Sequence, residues 1–370
     1  MPKSRILYMA GPALLTLALT GFAGAGVASA APTVPSGQDI KTAVSAAASQ
    51  AGLGDKLSSW SEKDGVVRVA LTQVKGNEAA VLKAKLGKNV IVTQEQRFET
   101  ATNKTPVKGK SVEHRMSFAQ RIKTWMKAPT APAPAPAPVP TAPAPATPGA
   151  YPPFIDSPAY KGGDRIVSQQ TINGQNYIVQ CTVTAPFVTG GTTDMLTAGH
   201  CGPAATHWFQ GYWDGSNIQT SGDMGNAATV SWANNQIDGT LLSGGSYTPS
   251  ISTSATTTMP VLGAAAVAVG SHVCTDGSFT GYACGATVTS TNVCANISDN
   301  GTIVTVCGLD VADAPTKVVQ SGDSGGPVVI QATGGVQLAG TISAQANSGT
   351  RVLFTDVNQL QTVFNGTVAK

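Results

Sequence analysis

An uncharged run of Ala-Pro repeats over residues 128–150 constrains the fold of this 370-residue chain more than any other feature. Proline fixes φ and lacks an amide donor, so the run cannot form a helix or a central strand. It is predicted to be an extended, semi-rigid spacer exposed to solvent, with a proline-rich ligand for a partner domain as the alternative. The chain therefore divides into one segment before and one segment after this spacer.

Residues 1–30 have the order of a secretory signal peptide. Lys3 and Arg5 precede an uncharged apolar run, and the segment closes on the small residues Ala28-Ser29-Ala30. This order predicts secretion and cleavage after Ala30, which limits membrane contact to the time before cleavage. An uncleaved anchor is the alternative, because the run is just long enough to span a bilayer, although glycines and a proline interrupt it.

Residues 31–127 are predicted to form a small α+β unit. Asp39–Ala51 and Glu78–Leu86 have the apolar spacing of helices, whereas Gly65–Val74 and Asn89–Thr93 have that of strands. A strand, a helix and a strand over about thirty residues are typical of such a unit. The segment contains no cysteine, and an accessory or wall-binding domain is one interpretation of it.

The two segments carry opposite charge. Residues 31–127 contain 16 Lys and Arg against 8 Asp and Glu, a net charge of +8. Residues 150–370 contain 5 against 12, a net charge of −7, and the two cations of residues 1–30 complete the total of +3. Opposite charges favour docking of one segment on the other. The acidic C-terminal segment is expected to repel phosphates, which argues against nucleic acid as a partner.

The densest motif is Ser321-Gly322-Asp323-Ser324-Gly325-Gly326-Pro327. Its glycines permit a sharp turn and close approach of a substrate, and its serine hydroxyl needs a neighbouring base to become a nucleophile. The amides of Gly322 and Ser324 are candidates for an oxyanion hole. A glycine-rich turn with an incidental serine is the alternative.

A candidate base and a candidate carboxylate precede this motif. His200 stands in Thr-Ala-Gly-His-Cys, and Asp238 leads the apolar run Gly-Thr-Leu-Leu. The order His, Asp, Ser is one of several that reach the same catalytic geometry. Asp214 and Asp223 also lie between histidine and serine, but Asp238 best fits the start of a buried strand.

Three motifs together resemble the chymotrypsin-like serine proteases, specifically the secreted bacterial branch of the alpha-lytic protease and the streptogrisins. They are Gly322–Pro327, Thr197–Cys201 and the hairpin from Val273-Cys274 to Cys284-Gly285. The resemblance covers roughly residues 160 to 370. It implies a protease domain over 151–370, built as two antiparallel six-stranded β-barrels with the active site between them.

The local pattern after residue 160 agrees with an all-β domain. Short apolar runs alternate with Gly, Asn, Ser and Asp, which is typical of antiparallel barrels or sandwiches. The predicted strands are Val179–Val183, Thr229–Trp232, Gly239–Leu242, Ala265–Val269, Ala286–Val293, Ile303–Val306, Pro327–Gln331 and Val336–Ile342. Val357–Phe364 is predicted to be a C-terminal helix, as in the family.

All six cysteines lie in the acidic segment of a chain with a secretory leader, so disulfides are expected rather than metal ligands, and no cofactor is expected. The resemblance implies the pairs Cys181–Cys201 and Cys274–Cys284. The remaining Cys294 and Cys307 flank Asp299-Asn300-Gly301, a strong hairpin signal. No cysteine stands near Ser324, where the family has its third disulfide.

The resemblance also implies the substrate-binding residues. Ser343 matches a serine that contacts the buried aspartate and lies on the strand that pairs with substrate. Val318 falls at the base of the specificity pocket, and Gln345 and Val352 fall on its walls. Because these side chains would fill an open pocket, cleavage is expected after small or medium apolar residues.

One place departs from the family pattern. The buried arginine that neutralises the aspartate before the nucleophile is replaced by Thr275. A buried carboxylate without a partner is unfavourable, so Asp323 requires another one. Arg165, Lys161 or a new amino terminus made by processing are the candidates.

Two classes of function follow from the sequence. The first is a secreted serine endopeptidase made as a precursor, with residues 31–127 as a pro region that binds its own protease domain and with proteins or peptides as substrates. The second is a catalytically silent homologue that serves as a binding module, tethered to the cell wall by the Ala-Pro spacer. Intact candidates at all three catalytic positions favour the first.

Overall fold

The computed structural model describes residues 38–107, 112–115, 156, 158–254 and 256–370. The predicted signal peptide (residues 1–30) and the predicted spacer (residues 128–150) lie outside the described residues. Within the described ranges, no helix is long and apolar enough to cross a membrane.

Three α-helices and 23 strands build the described part of the chain. The helices are α1 (Gln38–Gln50), α2 (Glu78–Leu86) and α3 (Val357–Val363). The strands before residue 116 are β1 (Leu57–Lys63), β2 (Val66–Leu71), β3 (Val90–Gln94), β4 (Phe98–Thr100), β5 (Asn103–Pro106) and β6 (Val112–Arg115). Those up to residue 252 are β7 (Tyr160–Gly162), β8 (Arg165–Ile172), β9 (Gln175–Thr182), β10 (Pro186–Thr189), β11 (Thr192–Thr197), β12 (His207–Trp213), β13 (Asn217–Ser231), β14 (Gly239–Ser243) and β15 (Tyr247–Ser252). The rest are β16 (Thr258–Ala264), β17 (His272–Gly277), β18 (Gly281–Asp299), β19 (Thr302–Asp313), β20 (Pro327–Ala332), β21 (Gly335–Ala346), β22 (Arg351–Asp356) and β23 (Gly366–Val368).

The strands form two sheets. One has 13 strands, in the order β3-β2-β1-β18-β17-β20-β21-β16-β15-β7, with β19, β22 and β4 attached to this path. The other has ten strands, in the order β23-β10-β11-β14-β13-β12-β8-β9-β5, with β6 paired to β13. The described part of the chain is thus dominated by antiparallel β-structure, which confirms the all-β class predicted for residues 151–370. The number of barrels stays a prediction.

The N-terminal unit continues the first sheet. Strand β1 pairs antiparallel with β18, Trp60 lying opposite Cys294. Helices α1 and α2 supply apolar side chains to a core that also contains Trp60 and the Cys294–Cys307 disulfide. The two helices and two strands predicted between residues 39 and 93 are present as α1, α2, β2 and β3, whereas β1, β4, β5 and β6 were not predicted.

Local signals explain several element boundaries. Asn300 and Gly301 both have positive φ, at 49° and 85°, which suits the tight turn between β18 and β19. The carboxylate of Asp356 caps α3 by accepting hydrogen bonds from the amides of Asn358 at 2.9 Å and Gln359 at 3.1 Å. These are the hairpin and the C-terminal helix that the sequence predicts.

The prediction of a strand over Ala265–Val269 is wrong. After the amide of Ala265 donates to the carbonyl of Leu338 at 2.9 Å, the chain leaves the sheet and turns at Gly270, whose φ is 94°. Val269 is 50% exposed. Short alanine side chains bury little apolar area against a neighbouring strand, so the apolar composition of this run misled the prediction.

Candidate active site

Residues from both sheets meet at a hydrogen-bonded chain of three side chains. Nδ1 of His200 lies 2.6 Å from Oδ2 of Asp238, and Nε2 lies 2.6 Å from Oγ of Ser324. The amide of His200 also donates to Oδ1 of Asp238 at 3.1 Å. All three residues are buried. His200 follows β11 and Asp238 precedes β14, whereas Ser324 lies in the turn before β20.

Two further hydrogen bonds fix the position of Asp238. The hydroxyl of Ser343 donates to Oδ2 of Asp238 at 2.5 Å, and the hydroxyl of Thr355 donates to its main-chain carbonyl at 2.7 Å. A carboxylate that accepts from an imidazole and a hydroxyl keeps a fixed orientation, which in turn fixes the tautomer of the imidazole. Ser343 therefore makes the contact that the resemblance implies.

The two other aspartates that stand between His200 and Ser324 in the sequence analysis lie elsewhere in the structure. Asp214 accepts hydrogen bonds from the amides of Ser216 and Asn217 in an exposed turn. Asp223 is exposed, and its Oδ1 lies 3.5 Å from Nε2 of His207. Neither carboxylate is a partner of His200.

Two glycines shape the turn around Ser324. Gly322 has φ of 103°, and a Cβ there would lie 2.1 Å from the ring of Phe279. Gly325 has φ of 85°, and a Cβ there would lie 2.0 Å from the hydroxyl oxygen of Thr197. Both the backbone conformation and the available space therefore require glycine at these positions. The turn aims the amides of residues 322 and 324 at one point.

That point is occupied by a carbonyl of the same chain. The amides of Gly322 and Ser324 both donate to the carbonyl oxygen of Ala101, the second at 3.2 Å. The hydroxyl of Thr102 donates to Oγ of Ser324 at 3.3 Å. Sequence analysis missed these two residues, because a short extended segment of small residues carries no motif.

Two of the predicted pocket residues share a buried apolar cluster with Ala101. Ala101, Val318 and Val352 belong to one buried apolar cluster, and each is fully buried. Gln345 lies opposite both Val352 and Glu99 in neighbouring strands. The hydroxyl of Thr275 donates to the carbonyl of Val318 at 2.6 Å.

Asp323 is stabilised mainly by hydrogen bonds. It accepts from the amides of Phe279 at 2.8 Å, Thr280 at 3.1 Å and Gln320 at 2.7 Å, and from the hydroxyl of Thr280 at 2.5 Å. Burial raises the pKa of Asp323, and these donors oppose that rise. Of the cations considered, Arg165 lies close enough to interact with this charge, and its guanidinium stacks 3.6 Å from the centre of the Phe279 ring. Lys161 instead pairs with Asp156.

A second buried carboxylate lies behind Asp323. Burial, and secondarily the charge of Asp323, raise the pKa of Asp276 well above its ordinary range. Neither carboxylate oxygen of Asp276 has a hydrogen-bond partner among the residues that the structure describes. Burial and the charge of Asp323 therefore both favour the neutral form of Asp276.

The cysteines form three pairs, Cys181–Cys201, Cys274–Cys284 and Cys294–Cys307. These are the pairs named in the sequence analysis, and the first attaches the turn of His200 to β9. In the described part of the chain, no group of three or more His, Cys, Asp or Glu residues is arranged to hold a metal ion.

Comparisons with known proteins give bacterial proteases as structural neighbours. No family model matches the chain. Protease A of Thermobifida fusca is 26% identical over 57% of this chain and 98% of its own, with a TM-score of 0.43. The alpha-lytic protease homolog N4 is 24% identical over 56% and 98%, with a TM-score of 0.43. The Cellulomonas bogoriensis chymotrypsin is 24% identical over 56% and 97%, with a TM-score of 0.40.

These neighbours are bacterial chymotrypsin-like serine proteases, the class that the motifs of the sequence resemble. At TM-scores of 0.43 and below, the likeness carries no argument about chemistry.

Proposed function

We propose that this protein is a secreted serine endopeptidase made as a precursor, with Ser324 as nucleophile, His200 as general base and acid, and Asp238 as the group that orients the imidazole. One observation carries the proposal: the chain Asp238–His200–Ser324 ends where two amides converge on a peptide carbonyl. Nucleophile, base and oxyanion donors are the parts that acyl transfer requires.

In the proposed mechanism, His200 removes the proton from Oγ of Ser324 as this oxygen attacks the substrate carbonyl carbon. The amides of Gly322 and Ser324 stabilise the negative oxygen of the tetrahedral intermediate. His200 then donates the proton to the leaving amine, and the buried carboxylate of Asp238 stabilises the imidazolium that exists between these steps. Water hydrolyses the acyl-enzyme by the same route in reverse.

The same geometry supports a preference for small or medium apolar residues before the cleaved bond. Val318 and Val352 pack in one cluster with the methyl group of Ala101. A pocket lined by Val318 and Val352, without a carboxylate at its base, favours Ala, Val or Leu over Lys, Arg or Trp. The alternative given in the sequence analysis, a catalytically silent binding module tethered to the cell wall, predicts that no substrate is hydrolysed.

Substitution of the nucleophile tests the proposal. Ser324→Ala should lower kcat on a tetrapeptide anilide at least about 10⁴-fold without changing the unfolding temperature. Ser254→Ala, in the loop between β15 and β16, is the matched control and should keep wild-type activity. Tagged wild-type enzyme is added to cleave the pro region from each variant, and it is then removed through its tag before the assay. A fluorophosphonate should label Ser324 in the control and not in Ser324→Ala. Near wild-type hydrolysis by Ser324→Ala would exclude the assignment.

A further inference from the structure

Residues 98–106 run through the candidate active site as a continuous extended segment. On one side of the Ala101–Thr102 bond, Glu99 and Thr100 pair antiparallel with Gln345 and Ala344 of β21. On the other side, β5 pairs antiparallel with β9 over four consecutive residues. The segment therefore lies across both sheets, and the peptide bond between β4 and β5 lies beside Ser324.

The Ala101–Thr102 peptide has the contacts expected of a bond about to be attacked. The amide of Ala101 donates to the carbonyl of Ser343 at 3.5 Å, and its carbonyl oxygen accepts from the amides of Gly322 and Ser324. A carbonyl polarised by two amides, with a serine hydroxyl beside it that contacts an imidazole, is arranged for nucleophilic attack.

Anchors on both sides fix the register of this segment. Oδ1 of Asp299 accepts from the hydroxyl of Thr100 at 3.1 Å, and both oxygens of Asp299 accept from Nζ of Lys104 at 2.8 and 2.9 Å. Phe98 is fully buried in an apolar cluster. A slip by one residue would turn Phe98 outward and replace the methyl group of Ala101 in the pocket by a threonine side chain. The register therefore selects one peptide bond.

We propose that the protein cleaves its own chain between Ala101 and Thr102, an inference that rests on the proposed function. Oγ of Ser324 bonds to the carbonyl carbon of Ala101, and its proton passes through His200 to the nitrogen of Thr102 as the C–N bond breaks. One water molecule then hydrolyses the ester between Ala101 and Ser324. The products are a carboxylate at Ala101 and an amino terminus at Thr102, with no oxidation or reduction.

The test follows the appearance of the new termini in the full chain. Wild-type precursor and Ser324→Ala are purified in denaturant, refolded under oxidising conditions and sampled over time by mass spectrometry and amino-terminal sequencing. Wild type should yield a fragment that begins Thr-Asn-Lys-Thr and a complementary fragment that ends at Ala101. Ser324→Ala should yield neither. The rate should not change over a hundredfold range of protein concentration, because nucleophile and substrate belong to one chain.

Two variants at the same position test the fit of the pocket. Ala101→Trp should slow the appearance of the Thr102 terminus about tenfold or more, because residue 101 is fully buried in a cluster with Val318 and Val352 and an indole would have to displace them. Ala101→Ser is the matched control and should be cleaved at nearly the wild-type rate. If Ala101→Trp fails to fold, the new termini of wild type and Ala101→Ser still show whether the chain is cleaved between residues 101 and 102.

Each outcome separates this inference from the proposed function. A precursor that stays intact or is cut only elsewhere, while an added tetrapeptide anilide is hydrolysed, overturns cleavage at Ala101 and leaves the endopeptidase standing. Absence of both reactions overturns both. A concentration-dependent rate overturns cleavage within one chain.

Discussion

Gly322→Ala is expected to disable the proposed oxyanion hole. The new Cβ would lie 2.1 Å from the ring of Phe279, at a position whose φ is 103°. Phe279 cannot easily yield, because the guanidinium of Arg165 stacks on its ring at 3.6 Å. The main chain therefore has to move and withdraw the amide of Gly322 from the substrate carbonyl. Loss of one such donor lowers kcat about 10²- to 10³-fold, equivalent to about 2.7–4 kcal/mol of transition-state stabilisation.

The assay is steady-state hydrolysis of an alanine anilide, with kcat and KM measured separately on enzyme freed of its pro region. Gly334→Ala is the matched control, because Gly334 also has positive φ, at 84°, but a Cβ added there would meet no atom beyond its chain neighbours within 4 Å. It should lose about 1–2 kcal/mol of stability from backbone strain and keep its kcat. Gly322→Ala/Phe279→Ala should recover part of the lost kcat, since the clash is removed.

Equal kcat values for Gly322→Ala and Gly334→Ala would refute this reasoning. A loss that appears only in KM would also contradict it, because the donor is proposed to act on the transition state more than on bound substrate. The unfolding temperatures of both variants show whether a lower kcat reflects loss of the amide donor or loss of the folded structure.

Three further predictions concern stability, specificity and docking. Burial raises the pKa of Asp310 to about 7, so stability should fall as pH rises from about 4 to about 7. Asp310→Asn should abolish this pH dependence and raise the free energy of unfolding above pH 7 by a few kcal/mol, up to about 4. A pH profile of unfolding identical to that of the wild type would contradict this prediction. On tetrapeptide anilides that differ only before the cut, Ala, Val or Leu should exceed Lys, Arg and Trp about tenfold or more in kcat/KM, and a maximum at Arg or Lys would refute the pocket. A separate fragment of residues 31–127 should bind the protease with an association rate that falls as the salt concentration rises. The ion pairs Lys104–Asp299 and Arg351–Glu95 indicate this dependence. An association rate that does not change with salt would argue against a pro-region role.

Motifs predicted the residues of the site because each one encodes a local backbone shape. The glycines around Ser324 and the Thr-Ala-Gly-His-Cys sequence specify turns that need no distant information. Asp238 followed from the buried strand after it. The structure brings Asp238 and Ser324 each within hydrogen-bond distance of His200.

What the sequence did not predict depends on long-range pairing. Strand β1 joins β18 across more than two hundred residues, and β4 joins β21 across a similar distance. Strand pairing depends on which edges are free in the folded molecule, and edges leave no pattern in a single sequence. The segment around Ala101 was missed for the same reason, since its small residues fit the site only through their neighbours.

The shared core of β1 and β18 would affect solubility if the proposed processing released the N-terminal unit. Trp60 lies opposite Cys294, and the Cys294–Cys307 disulfide is buried with apolar residues of the N-terminal unit. An enzyme freed of that unit would expose both the backbone edge of β18 and the apolar Cys294–Cys307 disulfide to water. Open edges beside apolar surface promote association between copies. Colloidal stability of the released enzyme should therefore decline with its concentration, and a detached N-terminal unit that stays bound would act as a solubilising cover.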